Sequence, residues 1–390
     1  KSRQKQRGRK QAKMGVLKGR RVKSRPVITQ HALEVWKEAP VVPKKGAFFG
    51  DQRKPWLPEW PVDAKKKPVA AMAKRRRRSN QPFDARDFVE IEVIAGNVVV
   101  ASFRKKVVAL KVFEKTKLVK RGVSAQALLF RERKTLVRLD HVFLCDMLFA
   151  FQTETRCFYG MPFYAGGSLS GLILEKGRAS AAAARFYACE IAAGLGHLHS
   201  HAIVHRDLKP DNVLVAADGH VVVADFGSVA DVGAVVRDAF VGTAQYAAPE
   251  CLRPNHVITP AIDFWALGVL VFELVKNRRP FEATTLRSEW TKALGATKFD
   301  ARTGHPHFDD ALRRLLVADV QRRLATFGTF KDLPWVKDID WNALLRKELK
   351  APTHPSTKPP FLADDGLHVH PDFDLTGKPS LHRPEDDDDD

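Results

Sequence analysis

The stretch His205-Arg-Asp-Leu-Lys-Pro-Asp-Asn212 decides the interpretation of this chain. It follows a helix-like run and precedes a short apolar run at residues 213–216. Thirteen positions after Asn212 comes Asp225-Phe-Gly227, again behind an apolar run, at residues 221–224. Two strand-like segments therefore each deliver carboxylate or amide groups at one end. Groups of this kind can hold a metal ion and a phosphorylated nucleotide.

Four side chains in these stretches form the candidate catalytic set. Phosphoryl transfer needs positioning and charge neutralisation more than covalent help from the protein. Asp207 is the candidate that accepts or orients the proton of a substrate hydroxyl, and Lys209 can balance charge on the transferring group. Asn212 and Asp225 supply hard oxygen ligands, which suit Mg²⁺. Each residue alone could be a turn or cap residue, but the combined spacing favours catalysis.

A lysine further upstream completes the pattern. Lys111 lies in Val-Ala-Leu-Lys within the third predicted strand, where it can reach the α/β-phosphates if a carboxylate holds it. Glu132, on the next predicted helix, is the candidate partner, although it could also be one charge on a solvated face. The partnered interpretation is favoured because Leu136, four positions on, would then face inward.

Charge divides the chain into two unlike parts. The formal net charge is +20, and residues 1–82 carry 25 Lys/Arg against 5 Asp/Glu, so the remainder holds 40 of each sign. This basic, proline-containing segment has no sustained apolar period and is predicted to be largely disordered. Its cationic run at residues 74–78 indicates either contact with nucleic acid or an anionic membrane surface, or a solvated linker.

Composition also excludes several classes of protein. We find no run of about 18 apolar residues and no signal-peptide core, so we expect no membrane span and an intracellular location, cytoplasmic or nuclear. The four cysteines are scattered, which predicts reduced thiols rather than a disulfide or zinc framework.

The hydrophobic pattern predicts an α+β fold. Segments rich in β-branched residues predict five strands, at residues 88–95, 98–103, 107–113, 145–151 and 157–163. Helical periodicity predicts helices at residues 126–139, 179–200, 262–276, 309–316 and 341–349. A small β-rich lobe with one main helix is thus followed by a larger helical lobe, with a ligand cleft between the two.

Residues from about 83 to 350 resemble a serine/threonine protein kinase of the AGC group. Lys209 after the candidate catalytic aspartate is typical of serine/threonine kinases, and residues 242–250, Gly-Thr-Ala-Gln-Tyr-Ala-Ala-Pro-Glu, resemble the end of an activation segment. Residues 240–246 are similar to those of phosphoinositide-dependent kinases. The resemblance implies the bilobal protein kinase fold over residues 83–338, with the N-lobe at about 83–161 and the C-lobe at about 165–338. Residues 1–82 would be an N-terminal extension, and residues 339–390 an AGC-like tail with an acidic end.

The same resemblance implies ATP and Mg as cofactors and assigns further residues. The nucleotide pocket would be lined by Lys111, Glu132, Gly96, Ala109, the gatekeeper Met161, the hinge residue Phe163 and Leu214. Substrate would be bound by Glu273, Asp211 and Thr243. Glu250 would pair with Arg323, Asp263 would anchor the catalytic loop, and Leu136, Met147, His205 and Phe226 would form an apolar stack.

The chain departs from the AGC pattern at the loop that covers the phosphates. Where the family carries G-x-G-x-x-G-x-V, residues 94–99 read Ile-Ala-Gly-Asn-Val-Val, with Gly96 as the single glycine. A lone Gly-Asn predicts a tight β-turn, and the hairpin would be several residues short. This departure favours a pseudokinase.

Regulatory positions differ as well. The usual phosphorylation position of AGC kinases falls near Ala239, so neighbouring Asp238 is the candidate anionic partner of Arg206. The stretch Arg76-Arg-Arg-Ser79 has the shape of a basophilic site, so Ser79 is a candidate autophosphorylation site. Phe373 is the candidate pocket phenylalanine of the tail.

The sequence therefore predicts a Mg-ATP-dependent protein serine/threonine kinase that acts on protein substrates and prefers basic residues upstream of the target. Two alternatives remain open. One is a pseudokinase scaffold that binds partners without turnover. The other is a protein that binds nucleic acid or an anionic membrane through residues 1–82.

Overall fold

The structure, a computed structural model, describes residues 88–103, 106–120, 123–237, 240–281 and 302–352. The first part is a five-stranded antiparallel sheet in the order β1-β2-β3-β5-β4. Its strands are β1 (Phe88–Ala95), β2 (Val98–Phe103), β3 (Lys106–Glu114), β4 (Phe149–Gln152) and β5 (Arg156–Pro162). Helices α1 (Lys115–Lys120) and α2 (Val123–Arg138) lie between β3 and β4. This part corresponds to the predicted β-rich lobe with one main helix.

Aromatic packing organises the core of the sheet. The Phe88 ring stacks on Phe103 and on Phe151, with centroids 4.7 and 5.2 Å apart, and Phe151 stacks on Phe158 at 4.5 Å. Phe149 belongs to the same cluster and lies directly over the backbone of Gly160 on the neighbouring strand. A Cβ atom at Gly160 would lie only 2.1 Å from the Phe149 ring, so this position has no room for a side chain.

We expect Gly160→Ala to destabilise the domain by about 1–3 kcal/mol, because the added methyl group forces the Phe149 ring out of a packed core. Denaturant unfolding followed by tryptophan fluorescence measures this loss. Gly171→Ala is the matched control, since its Cβ would meet only the Ser168 hydroxyl at 3.8 Å. Equal stability of the two variants would contradict the packing argument.

The second part is mainly helical. Its helices are α3 (Leu169–Lys176), α4 (Ala181–Ser200), α5 (Ala261–Lys276), α6 (Pro306–Leu315), α7 (Phe327–Lys331) and α8 (Trp341–Leu345). Short strands form three antiparallel pairs: β6 (Ile203–Val204) with β9 (Ala230–Asp231), β7 (Val213–Val215) with β8 (Val221–Val223), and β10 (Val235–Val236) with β11 (His256–Val257). Helix α5 is buried over almost its whole length and packs against α4, which makes this pair the centre of the helical part.

Most predicted elements are confirmed to within a few residues, but β4 is shorter than predicted. The prediction started this strand at Cys145, whereas the strand starts at Phe149. The reason is that Cys145 donates its backbone N–H to Val223 at 2.8 Å, so this stretch pairs with β8 of the helical part instead. The last predicted helix also ends early, at Leu345, and Lys347 then takes a left-handed φ of 56°. The sequence reading missed α1, α3 and α7.

The described residues bear on two predictions, that the chain has no membrane span and that its cysteines are reduced thiols. None of their helices is long and apolar enough to cross a bilayer. The four cysteines are buried, and none of them forms a disulfide.

Candidate active site

Helix α5 supports the loop that carries Asp207. Buried Asp263, in the first turn of α5, accepts the backbone N–H groups of His205 and Arg206, each at 2.8 Å. His199 contacts the same carboxylate at 2.8 Å. Burial alone would raise the pKa of Asp263, but these partners lower it, so the carboxylate stays charged. This support stabilises Arg206 in a left-handed conformation, with φ of 71°, and thereby fixes the direction of the next residue, Asp207.

Asp207 is oriented by three side chains. Its Oδ1 atom accepts a hydrogen bond from the Thr243 hydroxyl at 2.7 Å. Its Oδ2 atom accepts hydrogen bonds from Lys209 Nζ at 3.2 Å and from Asn212 Nδ2 at 3.1 Å. Lys209 also donates to the Thr243 hydroxyl at 2.7 Å. Thr243 can approach because Gly242 passes close to the catalytic loop, where a Cβ would lie 2.5 Å from the Arg206 carbonyl oxygen. The carboxylate is thus preorganised toward a hydroxyl group that enters the cleft.

Lys111 joins the two parts of the fold. Its Nζ donates to Glu132 Oε1 on α2 and to Asp225 Oδ1, both at 2.7 Å, and the three residues lie far apart in the sequence. Burial alone would lower the pKa of Lys111, but the two carboxylates outweigh it and raise that pKa. For Asp225, burial would raise the pKa, and Lys111 outweighs it and lowers that pKa. The result is a cluster of three charged side chains that links the sheet to the helical part, with Asp225 as its most exposed member.

The residues after β8 present oxygen atoms to the same cleft. Asp225 has a left-handed φ of 61°, and its side chain is 46% exposed. The ring of Phe226 turns the opposite way and contacts the buried His205 ring at 5.5 Å. Leu136 is buried and Met147 half-buried, and the four-membered stack stays a prediction.

The donor set fits magnesium. Asn212 uses its amide nitrogen to hold the Asp207 carbonyl at 2.7 Å, which leaves Oδ1 for a metal ion. Asp225 supplies a carboxylate, and hard oxygen ligands are what Mg²⁺ prefers. Among the described residues, no group of three or more His, Cys, Asp or Glu side chains could hold a metal. A metal ion at this site would therefore draw further ligands from phosphate oxygens and water.

The residues predicted for the nucleotide pocket lie along both sides of the cleft. Ala109 on β3 pairs with Met161 on β5, next to Lys111. Phe163 follows β5, and Leu214 on β7 forms a β-bridge with Ser168. Their roles in binding stay predictions.

Gly96 occupies an exposed two-residue turn. Ala95 pairs directly with Val98, so only Gly96 and Asn97 join β1 to β2. The Asn97 carbonyl accepts the Val112 N–H at 2.7 Å, and its side chain donates to the Val112 carbonyl at 3.0 Å. The turn is therefore fastened to β3, one residue beyond Lys111.

The three residues predicted to bind substrate have different surroundings. Glu273, in the last turn of α5, accepts the Tyr246 hydroxyl at 2.5 Å, and Asp211 is exposed. Thr243 hydrogen-bonds Asp207, and the substrate-binding roles of all three residues stay predictions. Burial and Glu273 raise the pKa of Tyr246, and Arg279 beside its hydroxyl opposes this. The sequence reading missed Arg279, although the Arg-Arg pair after α5 was a visible signal.

A buried ion pair secures the segment that follows Thr243. Arg323 donates to both carboxylate oxygens of Glu250, at 2.7 and 2.8 Å, and to the carbonyl oxygens of Val317 and Ala261 at 2.7 and 3.1 Å. Its guanidinium also lies 4.9 Å from the centroid of the Trp265 ring. The ion pair inferred from the resemblance is thus present.

Several predicted features lie outside the described residues. These are Asp238 and Ala239, Ser79, Phe373, and the basic segment at residues 1–82.

Comparison with known proteins agrees with this geometry. The family model "Protein kinase domain" matches residues 95–336, more than half of the chain. Protein kinase 2 of Dictyostelium discoideum is 34% identical over 257 residues, which cover 65% of this chain and 53% of that protein. The kinase SCH9 of Candida albicans is 34% identical over 64% of this chain and 33% of its own length. Human 3-phosphoinositide-dependent protein kinase 1 is 32% identical over 60% of this chain and 44% of its length.

The matches thus span about a third to a half of these curated relatives. The predicted resemblance to the AGC group and the predicted α+β kinase fold are confirmed. The chain belongs to the protein kinase family.

Proposed function

We propose that this chain is a Mg-ATP-dependent protein serine/threonine kinase that prefers basic residues upstream of the target. One observation carries the proposal: Lys111 bridges Glu132 and Asp225 at 2.7 Å, in the same cleft as the preorganised Asp207. Two independent clusters, one for phosphates and one for a hydroxyl group, are what phosphoryl transfer to a protein requires.

Each residue then has a defined task. Lys111 binds the α/β-phosphates, and Asn212 and Asp225 would hold Mg²⁺. When bound, this ion neutralises charge on the phosphate oxygens. Asp207 accepts the proton of the incoming serine or threonine hydroxyl, and Lys209 balances charge on the transferring group. Ala109, Met161, Phe163 and Leu214 line the adenine site.

Phosphorylation of a peptide library by the purified chain tests turnover and arginine preference together. We expect the purified chain to phosphorylate peptides. We expect the Asp207→Ala variant to do so ~10²–10⁴-fold more slowly, because the general base is lost. Asp310→Ala is the matched control, since Asp310 pairs with the exposed Arg314 on the same helix, α6. Wild-type transfer no faster than that of Asp207→Ala would overturn the proposal.

A pseudokinase scaffold is the second candidate, and the short β1–β2 turn favours it. The Gly96-Asn97 turn offers few backbone N–H groups for phosphates, so nucleotide affinity would be low. A scaffold would bind protein partners with no transfer above the Asp207→Ala background, which the same library experiment measures.

Preference for upstream arginine depends on Glu273, and Arg279 should weaken it. The Tyr246 hydroxyl donates a hydrogen bond to Glu273, and the Arg279 guanidinium lies beside that hydroxyl. Arg279 therefore competes with a substrate arginine for the negative charge of the Glu273 carboxylate. We expect Arg279→Ala to raise the kcat/KM ratio of arginine-containing over alanine-containing peptides by about 2- to 5-fold, the size of an exposed charge effect. Arg278→Ala is the control, because Arg278 contacts the Phe272 ring instead. An unchanged ratio in Arg279→Ala would contradict this role.

A further inference from the structure

Residues 139–148, the loop between helix α2 and strand β4, fasten the sheet to the helical part. Val223 on β8 donates its N–H to the Phe143 carbonyl at 2.9 Å and accepts the Cys145 N–H at 2.8 Å. Val223 is fully buried and lies two residues before Asp225. The packing of this loop therefore supports the strand that leads to the candidate active site.

Among the described residues, three histidine rings lie together where this loop meets helix α4. His141 of the loop stacks on His197 of α4, with ring centroids 4.9 Å apart, and His197 lies 4.5 Å from His201, which directly follows α4. The Nε2 atoms of His141 and His197 are buried. The helix backbone is also close, since a Cβ atom at Gly194 would lie 2.9 Å from the Phe143 carbonyl oxygen. We call these three rings the histidine cluster.

One hydrogen bond shows which protonation state the packed loop requires. His141 Nδ1 accepts the backbone N–H of Phe143 at 3.2 Å, so the neutral ring carries its proton on Nε2. A second proton can bind only at Nδ1, and it would take the acceptor away from the Phe143 N–H. It would also place a cation against the His197 ring. The packed arrangement of the loop therefore requires a neutral His141.

The electrostatics of the cluster have the same direction. Burial and then His197 lower the pKa of His141 to about 3. Burial and then His201 lower the pKa of His197 to about 4, although Asp140 opposes this. A histidine that leaves the cluster regains a pKa near 6.5. Above that pH both forms of the loop are neutral, and below it the released loop binds protons that the packed loop does not, so acid favours release.

A nearby carboxyl group opposes this effect without cancelling it. Burial and then Asp140 raise the pKa of Asp146 to about 6, so its protonation in acid stabilises the packed loop. Two histidines, each with a pKa lowered by more than two units, outweigh this one carboxyl group. The other charged or titratable groups around the loop are Arg138 at the end of α2, the His220–Glu190 pair beside Phe143, and Cys145 and Tyr164, which burial keeps neutral.

We propose that the histidine cluster is a pH-sensitive switch in which protonation of His141 and His197 releases residues 139–148 from helix α4 and from Val223. The rings stack only while both are neutral, and the hydrogen bond from Phe143 exists only while Nδ1 of His141 has no proton. The inference concerns the packing of the loop, so it does not depend on whether the chain transfers phosphate.

Amide hydrogen exchange of the full chain, corrected for the intrinsic exchange rate at each pH, tests this switch. We expect protection of residues 139–148 to fall about 10- to 30-fold from pH 7.5 to pH 5.5, the combined effect of two histidines against one carboxyl group. In the double variant His141→Asn with His197→Phe we expect no such fall. Asparagine keeps an uncharged acceptor for the Phe143 N–H, and phenylalanine keeps the ring.

His307→Asn is the matched control, because His307 is exposed on α6, and we expect it to behave as the wild type. Wild-type protection of residues 139–148 that is equal at the two pH values would overturn the proposal. So would an equal fall in the double variant, or an equal fall in α5, which would mean that the whole domain unfolds.

Imidazole NMR of the wild type gives a second measurement that does not need the double variant to fold. We expect the rings of His141 and His197 to stay neutral in the folded chain down to about pH 5. Titration of both rings near pH 6.5, with the protection of residues 139–148 unchanged, would overturn the proposal.

Discussion

Replacing Lys111 with methionine is expected to lower peptide phosphorylation by ~10²–10³-fold, the cost of removing one preorganised charge from a phosphoryl-transfer site. Lys111 bridges the Glu132 carboxylate on α2 and the Asp225 carboxylate after β8, with both Nζ distances at 2.7 Å. Methionine has a similar length and no charge. The variant therefore loses the phosphate contact and leaves two facing carboxylates without their cation.

The measurement is kcat/KM on the peptide used for the wild type, with thermal unfolding as a check on folding. Lys117→Met is the matched control, because the exposed Lys117 pairs with Glu114 at 2.9 Å. Activity of Lys111→Met within about 3-fold of the control would show that Lys111 does not hold the nucleotide.

Replacing Arg323 with methionine is expected to destabilise the domain by about 3–5 kcal/mol, because the largely buried Glu250 carboxylate is left without its partner. The Arg323 side chain is fully buried and the Glu250 side chain is 17% exposed. The change also removes donors from the Val317 and Ala261 carbonyl oxygens. The loss should be visible in denaturant unfolding as a lower midpoint with an unchanged slope.

A second variant separates the charge from the packing. In Arg323→Met with Glu250→Leu, the unpaired carboxylate is gone, so we expect part of the stability to return. Arg314→Met is the surface control, since its pair with Asp310 is exposed and should be worth less than about 0.5 kcal/mol. A loss in Arg323→Met no larger than in Arg314→Met would show that the buried pair does not stabilise the fold.

Much of this protein could be predicted from its sequence because the pattern is local. The residues from His205 to Asn212 and from Asp225 to Gly227 lie close together in the chain, and short apolar runs fix them at the ends of β7 and β8. The five strands and the long helices follow from their periodicity. Even the tight turn at Gly96 could be predicted, since Gly-Asn between two strands favours a two-residue hairpin.

Tertiary contacts decided the rest. The start of β4 moved because Cys145 found a partner 78 positions away, at Val223, and no local propensity encodes that hydrogen bond. Thr243 donates to Asp207 across 36 positions of sequence because Gly242 lets the two segments touch, and the sequence did not predict this contact. The contact of Arg279 with the Tyr246 hydroxyl likewise joins residues that are distant in the sequence.

The sequence by itself determined the family, the α+β fold and the identity of the charged residues, because these depend on residue type and on spacing within one segment. The sequence also predicted the Lys111–Glu132 and Glu250–Arg323 pairs, and the tertiary structure alone decided the other contacts between distant groups. It brings Lys111 to Asp225 across 114 positions, fastens Asn97 to Val112, and assigns Thr243 to Asp207. The physical reason is that hydrogen bonds and ion pairs act over about 3 Å, so only the folded chain determines which distant groups come within that range.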